Sequence, residues 1–373
     1  MSTPYISTAT VGDAHNSDIL GVCITERFTV TVSSDGFLKL WDNLRSERSE
    51  YKKVLVNQLG LHHVACFEDV VDMKKVLIIA VVSFSGKLYL HKYDFDANEL
   101  IDLEFDAAKA GMTNKTAFWC PQFDSKAASI VLACTTVSGK TKIFDVMFEE
   151  NGELVLTWKG ELYANDNSFA TSLCLDLETN KAVVGHQNGN VYLYDTEQML
   201  LSYNFESSGL KNSKSLNIVR DIKFSPNGEL LVIASDSGPF GTITLYDVKY
   251  GEYMGSFIIS THSSNVGVGN FAHSKWCLSI DFNKTGDKLV SCGLDNNIRV
   301  WNVETRTCVN TLRLNSTDLD DDAVSKLNDM DTSACTNIKF VPQGIFKEDG
   351  QNDGLVVVGF DRSIRWYREA GGL

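Results

Sequence analysis

The chain has 373 residues, 43% of them hydrophobic, with 27 glycines and 5 prolines. That is enough apolar material for a large core, and it excludes a disordered or fibrous chain. The formal net charge of -14 repels phosphate backbones and favours basic protein partners over direct nucleic-acid binding. The 9 cysteines are an odd number without a Cys-x-x-Cys pair. They read as small core residues in a reducing compartment, not as a disulfide framework or zinc ligands.

In chain order, the N-terminus shows neither the basic nor the apolar region of a secretory signal. The first element, Tyr5–Val11, is a lone strand with no neighbour in sequence to pair with. The longest apolar run, Val76–Val82, suits a buried strand and is too short to cross a membrane. A soluble protein of the cytoplasm, shared with the nucleus or not, is therefore expected.

From the first strand onward one unit recurs: an apolar run, a polar turn, then a short alternating strand closing on an aromatic or histidine. Ser34-Asp35-Gly36-Phe37-Leu38-Lys39-Leu40-Trp41-Asp42 and Leu294-Asp295-Asn296-Asn297-Ile298-Arg299-Val300-Trp301-Asn302 are the clearest copies. Ser85–Lys92, Ser138–Asp145, Asn188–Asp195, Phe240–Asp247 and Asp361–Arg368 keep the same register. The closing positions are Trp41, His91, Phe144, Tyr194, Tyr246, Trp301 and Tyr367.

Each unit is predicted to be a four-stranded antiparallel blade. Its tight turn before the alternating strand calls for Asp, Asn or Gly. One blade cannot bury both faces alone, so blades stack radially. Seven copies predict an all-β, seven-bladed WD40-type propeller, one domain over residues 1–373. The last unit, from about Thr336, has too few strands. The N-terminal strand is predicted to complete it and leave no open edge.

Two insertions break the period. Ser207–Ser215 is polar and reads as a surface loop. The acidic stretch at about 315–333 reads either as a solvated flexible loop or as a docking loop for a basic partner, with a turn or two of helix between Asp322 and Met330.

Two blades carry a hydrogen-bond chain: His15, Thr31, Asp35 and Trp41 in the first, and His273, Ser291, Asp295 and Trp301 in the sixth. A buried Asp needs partners, and a His with a hydroxyl supplies them. This resembles the structural tetrad of WD40 repeats. The other blades lack members of the set and are expected to rest on packing.

The lead-in to each innermost strand and the turn before each alternating strand should share one end of the disc. The turns place Phe84, Phe240 and Phe360 there, and the lead-ins place Ile19, Trp119, Arg220 and Trp276. Large apolar groups with no core role mark interaction surfaces, and Trp and Arg are enriched at energetic hot spots. Trp119 and Trp276 read equally as the first inward residues of their strands.

Catalytic and metal chemistry find little support. Ser138-Gly139-Lys140-Thr141 resembles the tail of a phosphate-binding loop, but Cys134 stands where the motif needs glycine, and a hairpin replaces the required helix. His62 and His63 are adjacent on a strand, so they should point opposite ways and not share a metal. No Gly-x-Ser-x-Gly elbow occurs. The expectation is a protein without enzymatic activity, cofactor or metal.

Several segments in fixed order carry a family resemblance. They are Gly60-Leu61-His62-His63-Val64, Ser83-Phe84-Ser85-Gly86, Tyr203-Asn204-Phe205-Glu206-Ser207, Thr261-His262-Ser263-Ser264, Phe271-Ala272-His273-Ser274-Lys275-Trp276 and the C-terminal Asp361–Gly372. Together they resemble the fungal WD-repeat subunit of the superkiller (Ski) complex along essentially the whole chain. The resemblance implies a scaffold that binds a tetratricopeptide-repeat subunit, which also holds an RNA helicase, with two propeller copies per assembly. It implies service to exosome-mediated 3′-to-5′ mRNA decay, restraint of viral RNA, and a link to meiotic recombination through the DNA-cutting protein. It also implies that a short partner motif with Gln-Arg and an apolar residue docks on the disc end, where Trp119 matches a family position. The competing sequence reading is a WD40 adaptor of another class, such as a ubiquitin-ligase substrate receptor or chromatin scaffold, although no F-box-like segment precedes the first strand.

Overall fold

In the computed structural model the described residues are 4–371, except 46, 72–73, 108–109, 114, 128, 150–153, 206–216, 260–270, 328–331 and 346–351. The polar loop expected at Ser207–Ser215 lies outside them.

The strands form seven four-stranded antiparallel sheets. Blade 1 runs Ile19–Ile24, Phe28–Ser33, Phe37–Asp42 and Glu50–Leu55, from the axis outward. Blades 2 to 6 repeat this order, with innermost strands Leu61–Val71, Phe118–Lys126, Ala170–Asp176, Val219–Phe224 and Cys277–Phe282. Blade 7 starts at Cys335–Val341, and its outermost strand is the N-terminal Tyr5–Val11. Each innermost strand packs against the next around the axis, and the last packs against the first. The predicted propeller and its N-terminal closure are both present.

The sequence pattern explains this arrangement. Second strands such as Lys74–Ser83 and Gly354–Gly359 are almost wholly buried, because both of their faces meet neighbouring blades. The apolar residues accordingly fall into clusters that sit between adjacent blades, not inside them. Burial of each Leu, Ile or Phe contributes about 1.5–3 kcal/mol, and this must offset the entropy of ordering the chain. The turn position that favours positive φ holds Gly36, Gly86, Gly139 and Gly189; Asn296 and Arg362 take it in blades 6 and 7.

The clasp is a paired edge: Tyr5 opposes Glu369 and Val11 opposes Ile364. A bulge between Ser7 and Ala9 shifts the register. Ala370 N–H donates to Pro4 O at 2.7 Å, and the Tyr5 ring is buried between blades 6 and 7.

Both tetrads form. In blade 1, Trp41 Nε1–H donates to Thr31 Oγ1 at 2.9 Å, and Thr31 Oγ1 lies 2.9 Å from His15 Nε2. The other ring nitrogen reaches Asp35 at 3.1 Å. A neutral imidazole with its proton on Nδ1 satisfies every group, and burial lowers the His15 pKa. Burial pushes the Asp35 carboxyl up, but hydrogen bonds from His15 and from the N–H groups of Phe37 and Asn16 win and hold it at about 2. Blade 6 repeats the chain through Trp301, Ser291, His273 and Asp295. Arg299 adds a 2.8 Å bond to Asp295.

Blades 4, 5 and 7 do not rest on packing alone, as their sequences suggest. In blade 7 the buried Arg365 guanidinium pairs with buried Asp361 at 2.7 Å. In blade 4, Asp166 accepts from Asn188, Asn190 and Tyr192. In blade 5, Arg220 takes Asp236. In blades 4 and 5 these bonds join the turn to the lead-in as a tetrad does, and in blade 7 the pair joins the turn to the following strand.

Where it is described, the acidic insertion is mostly exposed to solvent but carries regular helical turns. Ser316–Asp318 is a 3-10 turn and Asp321–Ser325 a short helix, capped by Asp320, which accepts from Ala323 N–H at 2.7 Å. It is anchored to the N-terminal segment: a Cβ on Gly12 would meet Ala323 Cβ at 2.4 Å. Lys326 pairs with Asp13, and Arg362 donates to Lys326 O. The helix is shorter than the Asp322–Met330 span allowed, and Met330 lies outside the described residues.

Candidate functional site: an aromatic disc end

Seven equivalent hydrogen bonds place the lead-ins and turns on one end of the disc. In each blade the N–H of a turn residue donates to the carbonyl just before the innermost strand: Ser34 to Asp18, Phe84 to Gly60, Val137 to Ala117 and Gln187 to Phe169. Asp236 to Ile218, Leu294 to Trp276 and Phe360 to Ala334 complete the ring. Each innermost strand also starts with a register shift. A bulge re-aims side chains that a regular ladder would send to alternate faces.

The bulge explains the densest part of this end. In blade 3 the ladder jumps from Phe118 to Pro121. Proline has no N–H for the ladder, and Trp119 turns out of it, half-buried. In blade 2 the jump lies between Leu61 and His63, so His62 and His63 converge. Their Nδ1 atoms are 2.6 Å apart. The expectation that this doublet points opposite ways is wrong, because strand alternation fails at the bulge.

His62 Nε2 faces Ser83 O at 3.1 Å, and a carbonyl only accepts, so the proton is on Nε2. His62 Nδ1 is then the acceptor and His63 Nδ1–H the donor. Burial, then the neighbouring His63, pushes the His62 ring to about 2. Burial, then Lys223, pushes His63 to about 4. Both rings are neutral near pH 7.

Neutral, oriented His62 stacks on Trp119, with ring centres 4.2 Å apart and planes 28° apart. Phe84, half exposed, lies 5.0 Å from His62. Phe169 of blade 4 meets Trp119 edge-on at 4.9 Å. Four aromatic rings from three blades thus form one partly solvated platform. Val137, 46% exposed, occupies the turn position of blade 3 next to it. The sequence reading picked Phe84 and Trp119 and missed His62, Phe169 and Val137. Their signal was the recurring turn and lead-in register, which holds for any residue type.

A second cluster lies on blades 5 and 6. Arg220 donates to both oxygens of Asp236, and its guanidinium sits 4.5 Å from the Trp276 ring centre. Trp276 is 38% exposed, and its Nε1–H donates to Gly238 O at 3.0 Å. Phe240 opens a strand instead of sitting in the turn. It is half-buried and stacks on Phe271 at 4.7 Å. Phe360 is half-buried at its turn. Ile19 is not on this surface: it pairs with Ser33 inside the ladder and is fully buried between blades 7 and 1.

An axial cavity of about 380 Å³ is lined by all seven innermost strands, with His63, the neighbour of His62, among its lining residues. Lys223 pairs with Asp221 at 2.9 Å within it, and Lys339 lies 3.8 Å from Asp281. Among the described residues, no three His, Cys, Asp or Glu side chains converge as metal ligands, and no helix is long and apolar enough to cross a membrane.

Residues 259–302, which include the first three strands of the sixth blade, match the family model "WD domain, G-beta repeat". Antiviral protein SKI8 of Saccharomyces cerevisiae is 36% identical, over 100% of both chains. This chain belongs to the SKI8 family. The meiotic recombination protein rec14 of Schizosaccharomyces pombe is 25% identical over 68% of this chain and 73% of its own. A WD repeat-containing protein 91 homolog of Dictyostelium discoideum is 25% identical over 47% of this chain and 20% of its own length. The full-length match to the SKI8 relative covers every blade of the propeller.

Proposed function

We propose that this chain is the non-catalytic WD-repeat scaffold subunit of a Ski-like complex. It holds a tetratricopeptide-repeat subunit, which also carries an RNA helicase. In this way it assists 3′-to-5′ mRNA decay by the cytoplasmic exosome. Two copies serve each assembly, and each propeller is a monomer alone. The same end serves a second, nuclear role in starting meiotic recombination with the DNA-cutting protein, in keeping with the rec14 relative.

The observation that carries this reading is the His62–Trp119–Phe84–Phe169 platform. It offers stacking area for an arginine and apolar contact for a neighbouring side chain of one short partner motif. Rigid aromatic groups on the disc end are the anchors of interface hot spots. The net charge of -14 suits a basic motif and disfavours RNA as direct ligand.

The test is affinity purification from cells with mass spectrometry, comparing wild type with Trp119→Ala. The reading expects the tetratricopeptide-repeat and helicase subunits with wild type and their loss with the variant, whose melting transition remains cooperative. Unchanged partners would remove Trp119 from the interface. Tight RNA binding by the isolated chain at physiological salt would contradict the reading.

A further inference from the structure

A cluster of cations lies at the end of the disc opposite the aromatic platform. Arg27 sits in the hairpin between the first and second strands of blade 1, Arg45 in the link from its third strand to its fourth, and Lys52 in that fourth strand. In an antiparallel blade both links lie at the far end from the lead-in and the turn.

The three cations converge on one ring. The Arg27 guanidinium carbon lies 5.5 Å from the centre of the Tyr51 ring, the Arg45 carbon 5.1 Å and Lys52 Nζ 5.9 Å. Each is within cation–π range. Asn98 of blade 2 holds that ring in place, because its side-chain oxygen accepts from the hydroxyls of both Tyr51 and Tyr93.

One carboxylate serves two guanidiniums. Asp42 Oδ2 is 3.7 Å from Arg27 Nη2 and 3.7 Å from Arg45 Nε, an ion-pair distance past hydrogen-bonding reach. Arg27 Nε is buried without a partner among the described residues, and the Arg27 bond to Tyr51 Oη is long at 3.4 Å. Other acids nearby are matched elsewhere: Glu26 and Glu68 hold Lys75, and Glu50 holds Lys39 and Lys53. Three cations around Tyr51 with one carboxylate between them leave two positive charges at this spot, in a chain of net charge -14.

Buried polar groups hold the loop that presents Arg45. Asn43 accepts from Thr29 Oγ1 at 2.7 Å and donates to Thr25 O at 3.1 Å. The buried Arg48 guanidinium donates to Asn43 O at 2.6 Å and to Arg45 O at 3.2 Å. Arg48 itself has a φ of 46°, a left-handed conformation that costs energy outside glycine. A buried guanidinium and a strained residue spent on fixing a surface loop preorganise the side chain it carries.

We propose that Arg27, Arg45 and Lys52, gathered on Tyr51, dock a phosphorylated serine or threonine of a partner protein. A phosphate dianion carries the two charges the cluster lacks, and its oxygens accept from guanidinium N–H groups. Leu44, next to Arg45 and 53% exposed, offers apolar contact to a residue flanking the phosphate. The acidic balance of the whole chain disfavours a nucleic acid, whose row of phosphates runs on past so small a cluster. The site stays open while a partner occupies the aromatic platform at the other end.

The test is fluorescence polarisation of a labelled peptide, Gly-Leu-phosphoserine-Leu-Gly, with the folded full-length chain, beside the same peptide without phosphate. The expected result is saturable binding that requires the phosphate and that Arg45→Ala weakens at least about tenfold. Arg45 is exposed, so this variant should melt as wild type does. Lys52→Ala is the second variant and should weaken binding in the same direction. Equal binding of the two peptides, or wild-type binding by both variants, would overturn the proposal. So would inorganic phosphate binding as tightly as the peptide, which would make the ligand a free anion. A single-stranded oligonucleotide binding more tightly than the peptide would also overturn it, in favour of a nucleic acid.

Discussion

Blades 1 and 3 use the same residue type in opposite ways. Trp41 is 2% exposed, and its indole N–H is spent on Thr31 at the end of a chain that runs through His15 to Asp35. Trp119 is half-buried, turned out of its ladder beside Pro121, and stacked on a histidine whose proton faces inward. In blade 1 every polar atom of the set is matched within one repeat, so the set fixes one blade. In blade 3 the aromatic face reaches across three blades and still meets water. A Trp with its polar atom satisfied and both faces packed supports structure. A half-buried Trp that still meets water on the disc end is available to a partner.

The sharpest way to break this comparison is substitution at both positions. Trp41→Ala should cost about 3–5 kcal/mol, because it empties a packed site and leaves the Thr31–His15–Asp35 chain open. Trp119→Ala should cost less than half as much, since Trp119 is only half-buried. Denaturant unfolding of both variants checks the order. Equal losses would mean that Trp119 is a core residue.

The pH dependence separates the two regions less strongly, and its direction is fixed. His15, His273, His62 and His63 all have pKa values lowered by burial. The folded state therefore favours the neutral rings. This stability is fully present above the unfolded histidine value of about 6.5 and is lost as pH falls below it, for His63 down to about 4. Asp35, held at about 2, adds a loss of the same sign below about pH 4. Melting temperature should be flat near pH 7 and fall steadily from about pH 6.5 downward. His62→Gln should flatten the upper part of that fall.

The smallest effect is expected where the acidic insertion meets the clasp. Asp320 caps a helix of 5 residues, so Asp320→Ala should cost about 1 kcal/mol or less. Faster hydrogen exchange confined to residues 319–326 and the Gly12 region would show that the insertion and the clasp support each other. Unchanged exchange would show that they do not.

Much of the fold is legible in the sequence because the propeller is built from local units. The seven turns and the tetrad partners sit at fixed offsets within one repeat, and the first strand stands out because it lacks a neighbour to pair with. What lies between repeats was not legible. Convergence of His62 and His63 needs a bulge, and nothing in Leu61-His62-His63 announces one. The platform joins residues from blades 2, 3 and 4, so no single repeat marks His62 or Phe169 as members of it. Ile19 failed for the converse reason: it holds the last regular ladder position before the bulge, opposite Ser33, whereas Trp119 and Arg220 sit in the bulge itself. Arg365 with Asp361, and Asp166 with its three donors, hold their turns with residues that a tetrad pattern does not include.

The central claim is that the aromatic disc end, not the rim, holds the partner. Isothermal titration of the tetratricopeptide-repeat subunit into wild type, Trp119→Ala and Trp158→Ala tests it most directly. Trp158 lies on the outer strand of blade 3 and is 37% exposed, so it matches Trp119 in type and blade but faces the rim. The account predicts that Trp119→Ala weakens binding by at least about 2 kcal/mol, roughly thirtyfold in Kd, while Trp158→Ala binds as wild type does. Loss of binding in Trp158→Ala with Trp119→Ala unaffected would contradict it.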